Sequence, residues 1–142
     1  MNQDVIKTRQ RQLLEAVHGA PISRTMGFRL SYNRQGEAVL EMPYNPGFDQ
    51  PEGIHGGVFA TLMDSAGWFA VAPHYDHWIS TVEFQVRLLE PVRRKDLQSI
   101  GHVVRIGKRL ATATMQVKTR QDGRVTAVGS GTYSVTTVKM PF

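Results

Sequence analysis

Residues 55–68 read His55-Gly56-Gly57-Val58-Phe59-Ala60-Thr61-Leu62-Met63-Asp64-Ser65-Ala66-Gly67-Trp68, and from Gly56 to Ala72 Asp64 is the only ionisable side chain. A carboxylate among apolar neighbours is costly unless it is hydrogen-bonded or used. Aspartate is also a poor residue for a helix interior. Asp64 lies too far from the start of the helix for the dipole to favour it. The ordinary account of such a residue is a local hydrogen bond or a nearby arginine; the functional account is a general base or nucleophile. The glycine pair likewise has an ordinary role, a tight turn. It has a chemical one too, because the first N–H groups of a helix have no intrahelical acceptor and can bind an oxyanion that glycine lets come close.

These two features suggest a division of labour. Gly56 polarises a carbonyl, and Asp64 delivers or activates the nucleophile. Eight residues at about 1.5 Å rise put them roughly 12 Å apart along one helix, whereas reacting atoms approach to about 3–3.5 Å. One straight helix cannot bring both to one carbonyl. The expected site therefore joins Gly56 of one subunit to Asp64 of another, as two antiparallel helices about a two-fold axis would do twice.

The elements that must position these groups are legible in outline. Residues 4–17 carry Val5, Ile6, Leu13, Leu14 and Val17, a pattern that predicts a short N-terminal helix over about 4–18, ended by His18-Gly19-Ala20-Pro21. Strands are predicted over 28–32 and 37–42 around the turn Asn33-Arg34-Gln35-Gly36. A proline- and glycine-rich loop, 43–54, leads to His55. The long helix is expected over about 57–72, with Phe59, Leu62, Met63, Ala66 and Ala70 forming one stripe and Pro73 ending it. Its other side, with Ala60, Thr61, Asp64, Trp68 and Val71, is also poor in charge, so a second subunit or a ligand is expected to cover it. Four strands follow, over 79–89, 97–106, 110–119 and 125–138, and sequential hairpins predict an antiparallel sheet around the helix.

At 142 residues the chain is expected to be one domain, 1–142, and 41% apolar with 20% charged residues is ordinary globular composition. It has no cysteine, which excludes disulfides, thiolate metal sites and a cysteine nucleophile. No apolar run approaches the roughly 18 residues of a membrane span, and the first residues lack the apolar core of a leader peptide. The expectation is a cytoplasmic protein without membrane attachment. His74-Tyr75-Asp76-His77 is a conceivable metal cluster, but it follows a helix exit and no further ligands lie near it in sequence, so no metal site is expected. A net charge of +5 favours anionic partners. Nucleic acid is disfavoured, because aromatic residues do not interleave with the cations.

His55-Gly56-Gly57 followed by Asp64, with Thr81-Val82-Glu83-Phe84 and Arg87-Leu88-Leu89-Glu90-Pro91, resembles the hotdog-fold acyl-CoA thioesterases, especially the phenylacetate-pathway (PaaI-like) group. Residues 105–111 and 122–124 resemble that family's strand connections, so the likeness runs over about 27–135. It implies an α+β hotdog fold: a six-stranded antiparallel sheet wrapped around one long central helix, in homodimers that often pair into homotetramers. It implies hydrolysis of an acyl-CoA, with coenzyme A entering as part of the substrate and no other cofactor.

Asp64 matches the family's catalytic carboxylate, Gly56 the residue whose N–H polarises the thioester, His55 the turn histidine, and Thr81 a hydroxyl that places water or the acyl group. The family often has Asn or Gln six residues before the histidine. Here that position is Asp49, with Gln50 beside it, and either could take the helper role. Gly57, Phe59 and Trp68, with Trp78, are expected near the substrate. Arg93, Arg105, Lys108 and Arg109, together with Arg94 and Lys95, are candidates for a rim that binds the phosphates of coenzyme A. The alternative function is a non-catalytic acyl-CoA-binding or regulatory hotdog module. A hotdog hydratase is weaker, for want of a separate Asp/His pair at that family's spacing.

Overall fold

A computed structural model describes residues 1–142. Helix α1, Gln3–Val17, starts at Asn2, whose side chain accepts from the Asp4 N–H at 2.8 Å. It buries Ile6, Leu13 and Val17, one stripe at helical spacing. Val5, adjacent to Ile6, points outward. A second short helix, α2 (Pro21–Met26), was not expected from sequence. Pro21 does more than end α1. It occupies the first turn of α2, where its missing N–H costs nothing, and Gly27 closes α2 in the left-handed region at φ 75°.

Strands β1 (Arg29–Tyr32) and β2 (Ala38–Met42) form the expected hairpin. The Asn33 carboxamide oxygen accepts from the N–H groups of Gln35 and Glu37, at 3.1 and 2.9 Å. The loop before His55 contains a two-residue ladder, β3 (Asp49–Gln50) against β4 (Gly53–Ile54). Helix α3 runs Gly56–Val71, one residue earlier at each end than the sequence suggests. Strands β5 (His77–Leu88), β6 (Leu97–Ile106), β7 (Leu110–Thr119) and β8 (Val125–Lys139) follow.

The six long strands make one antiparallel sheet in the order β1-β2-β6-β7-β8-β5. This is the six-stranded α+β arrangement that was expected, with α3 in its concavity. One connection departs from simple hairpins. β5 does not pair with β6 but crosses to the far edge and pairs with β8, so β2 can close on β6.

The expected stripe of α3 is buried, with Leu62, Met63 and Ala66 at 0% exposure. The fit against the sheet is close. A Cβ on Gly101 would stand 2.2 Å from the Ala66 carbonyl oxygen, and one on Gly67 would stand 2.1 Å from the Tyr133 hydroxyl. Val71, assigned by spacing to the outer side, is fully buried. Ala60, Thr61, Asp64, Ser65 and Trp68 are only half covered. Beside them, β5 presents an edge with Trp78, Val82, Phe84 and Leu88 exposed.

Candidate active site

The first turn of α3 is held by His55. Its ring Nδ1 accepts from the Gly57 N–H at 2.8 Å, so this nitrogen is unprotonated in that geometry. The loop before it is pinned by two backbone bonds, His55 N–H to Phe48 and Ile54 N–H to Val92, each 2.9 Å. His55 therefore shapes the turn. It also takes up the Gly57 N–H, which removes Gly57 as an oxyanion donor. The Gly56 N–H has no acceptor within the chain. The cap leaves Gly56, the glycine expected to polarise the carbonyl, as the open donor. A Cβ at Gly56 would lie 2.8 Å from Leu88 Cδ1, so β5 already crowds this position.

Asp64 sits two turns further along, facing β5. The Thr81 hydroxyl donates to its Oδ1 at 2.8 Å. Burial pushes the carboxyl above the ordinary aspartate range, and hydrogen bonding from Thr81 and Tyr133 pulls part of the way back. A partly buried carboxyl raised in this way takes up a proton more readily than an ordinary aspartate, as a general base must.

Tyr133 was not singled out from sequence. Fully buried on β8, its hydroxyl donates to the Asp64 carbonyl oxygen at 3.1 Å and lies near enough to the carboxylate to favour its ionised form. Gly67 and Gly131 leave the space it occupies. The available signal was a tyrosine two residues beyond Gly131, which requires the fold to be read.

The two candidates for the helper position fall on opposite sides of the first turn of α3. Asp49 lines a cleft of about 330 Å³ with His55, Gly57 and Thr61. Its Oδ2 accepts from the Tyr44 hydroxyl, a partner that the sequence did not indicate. Gln50 lines another cleft, about 290 Å³, with Gly56, Phe59 and Leu88. Phe59 is thus brought to the Gly56 end of the site. Trp68 is one turn beyond Asp64 on the same side. Its indole N–H donates to the Ile79 carbonyl at 2.8 Å and its ring lies 4.9 Å from Trp78. It ties α3 to β5 as well as bordering the half-covered face.

The expected phosphate rim does not form within one chain. Arg93 lies beside Gly53, at the start of α3. Arg105, Lys108 and Arg109 lie at the end of β6 and in the β6–β7 turn, whose Gly107 carbonyl accepts from Tyr75 just beyond the end of α3. The 16 residues of α3 separate the two groups by about 24 Å. Lys95 is paired with Asp122 at 2.9 Å, and Arg94 has a positive φ of 52°. In the His74-Tyr75-Asp76-His77 stretch, His77 pairs with Asp76 at 2.6 Å, and His74 is half buried.

A sheet wrapped around one long helix, with an open glycine N–H at the helix start and a raised carboxyl in its middle, defines a hotdog fold with the elements of a thioester-cleaving site. The chain belongs to the thioesterase superfamily, whose family model matches residues 53–126. A candidate esterase of Halobacterium salinarum is 32% identical over 124 residues, covering 78% of this chain and 81% of its own. The solved structure of a thioesterase family protein from Silicibacter pomeroyi is 27% identical with a TM-score of 0.80, covering 91% of this chain and 96% of that one. The E. coli PaaI protein of the phenylacetic acid degradation operon superimposes with a TM-score of 0.83 over 93% of this chain and 96% of its own. At 16% identity, that is a likeness of fold. Family and site together support a thioester hydrolase.

Proposed function

We propose that this protein hydrolyses acyl-CoA thioesters at a site shared between two subunits. The observation that carries the reading is the placement of the Gly56 N–H and Asp64 on one helix, roughly 12 Å apart, beside an outer helix face that the chain covers only by half. An antiparallel copy of α3 across that face would bring Asp64 of one subunit towards Gly56 of the other. The exposed edge of β5 offers the same partner a strand to pair with.

In that arrangement the thioester carbonyl oxygen accepts from Gly56, which stabilises the charge that develops as the carbonyl carbon becomes tetrahedral. The facing Asp64 either takes a proton from water as water attacks or attacks the carbon itself, in which case water then cleaves the resulting anhydride. Both routes end in the free acid and the thiol: the C–S bond breaks, and the thiolate takes up the proton released from water. Thr81 holds the carboxylate in place. The cytoplasm is the compartment where acyl-CoA substrates would be met.

Release of free thiol across a panel of acyl-CoAs tests the reading. Turnover of at least one acyl class is expected, whereas saturable binding with no thiol release from any member would favour a binding module.

A further inference from the structure

A second concavity, about 370 Å³, lies between α2 and the β1–β2 edge and is lined by His18, Arg24, Arg29, Glu41 and Arg120 among others. Three guanidinium groups thus face one cleft against a single carboxylate. That carboxylate is already engaged. Glu41 stands directly across the ladder from Arg29, yet its Oε2 pairs with Arg120 Nε at 3.2 Å and its Oε1 receives the Gln98 amide at 3.5 Å. Arg29 is left with no ion-pair partner. Arg24 reaches only the carbonyls of His18 and Gly19, at 3.4 and 3.3 Å. Like charges gathered around a cavity repel one another unless an anion offsets them. A carboxylate offers two oxygens and satisfies one guanidinium fork, whereas a phosphate offers enough oxygens for several.

We propose that this cleft binds a phosphate or diphosphate group, with Arg29 and Arg24 as its main partners and Arg120 shared with Glu41. The position connects it to the candidate active site. Met26 lines the His55 cleft, and the next residues, Gly27, Phe28 and Arg29, line the arginine cleft. The phosphate can therefore belong to the nucleotide end of a thioester whose reacting end lies at the first turn of α3, an assignment that rests on the proposed function. It can also belong to a separate phosphorylated ligand.

Titration of the full-length protein with inorganic pyrophosphate, followed by calorimetry or by arginine Nε–H resonances, tests the site without reference to catalysis. Saturable binding is expected, weakened about tenfold in Arg29→Ala, the loss of one charge-assisted contact. Arg29 has no ion-pair partner to lose, so this variant should fold normally. Glu41→Gln removes the competing charge and should tighten binding. No saturable binding, or equal affinity in wild type and both variants, overturns the proposal.

Steady-state rates with one acyl group carried on coenzyme A and on pantetheine then identify the source. A KM raised by Arg29→Ala for the coenzyme A thioester alone assigns the site to the substrate's own phosphates. Unchanged KM values alongside weakened pyrophosphate binding assign it to a separate ligand. Absence of thioesterase activity altogether would remove the first assignment and leave the pyrophosphate result standing.

Discussion

The two faces of α3 are built from similar residues and behave differently. The inner face seats Leu62, Met63 and Ala66 against the sheet with no solvent exposure. The outer face, also nearly free of charge, holds Ala60, Thr61, Asp64 and Trp68 half covered. Packing fully accounts for the inner face. The outer face carries the carboxylate, and its apolar surroundings are what push that carboxyl upward. The chain thus places its stability on one side of the helix and its reactive group on the other, where a partner can still reach it.

Substitutions on the two faces should separate accordingly. Asp64→Asn has the largest expected effect on activity, a loss of about 10²–10⁴ in kcat, the usual scale for a positioned acid–base group, with folding intact. Stopped assays of thiol release together with thermal melting check both halves. On the inner face, Leu62→Ala should cost about 2–5 kcal/mol of stability and leave the turnover of the folded fraction close to wild type. A Leu62→Ala protein as stable as wild type would show that α3 is not the core that its burial implies.

A smaller effect concerns pH. The folded-state pKa of Asp64 is raised above its ordinary value of 3.8, so between those two values the folded protein binds more protons than the unfolded one. The Asp64 contribution to stability is therefore full below the ordinary value and falls as pH rises through the raised one. Wild type should be less stable than Asp64→Asn at neutral pH, and the gap should close on acidification. Denaturant melts at several pH values measure this. The acid limb of kcat/KM should correspondingly lie above the usual aspartate range. Thr81→Val removes a hydrogen bond that favours the ionised carboxylate, so it should move that limb to higher pH and lower the rate by about tenfold, the scale of one hydrogen bond to a charged group.

Much of this contrast was legible in the sequence because it rests on local patterns. The stripe from Phe59 to Ala70 and the strands expected over 97–106 and 110–119 place α3, β6 and β7 within a residue of their observed bounds. The isolation of Asp64 marked the reactive face, and helix rise alone separated it from Gly56. What was not legible depends on distant pairings. Nothing near β5 in sequence says that it crosses to β8. Tyr133 reaches Asp64 only once the sheet is closed. That His55 takes up the Gly57 N–H depends on which way its ring turns. The cations failed as a single rim because sequence nearness to strand ends does not say which end of α3 a strand meets.

The central claim, that one site needs Gly56 from one subunit and Asp64 from another, is tested most directly by complementation. Gly56→Pro, made in a Leu88→Ala background that clears the space its Cβ would enter, deletes the open N–H at the first helical position, where the proline backbone fits, and Asp64→Asn in the same background deletes the base. Each variant alone should be nearly inactive. Co-expressed, they should form mixed dimers in which one of two sites regains both groups, restoring about a quarter of the activity of the Leu88→Ala background for random pairing in a two-fold dimer. Mixed dimers that form and remain as inactive as either parent would contradict a shared site.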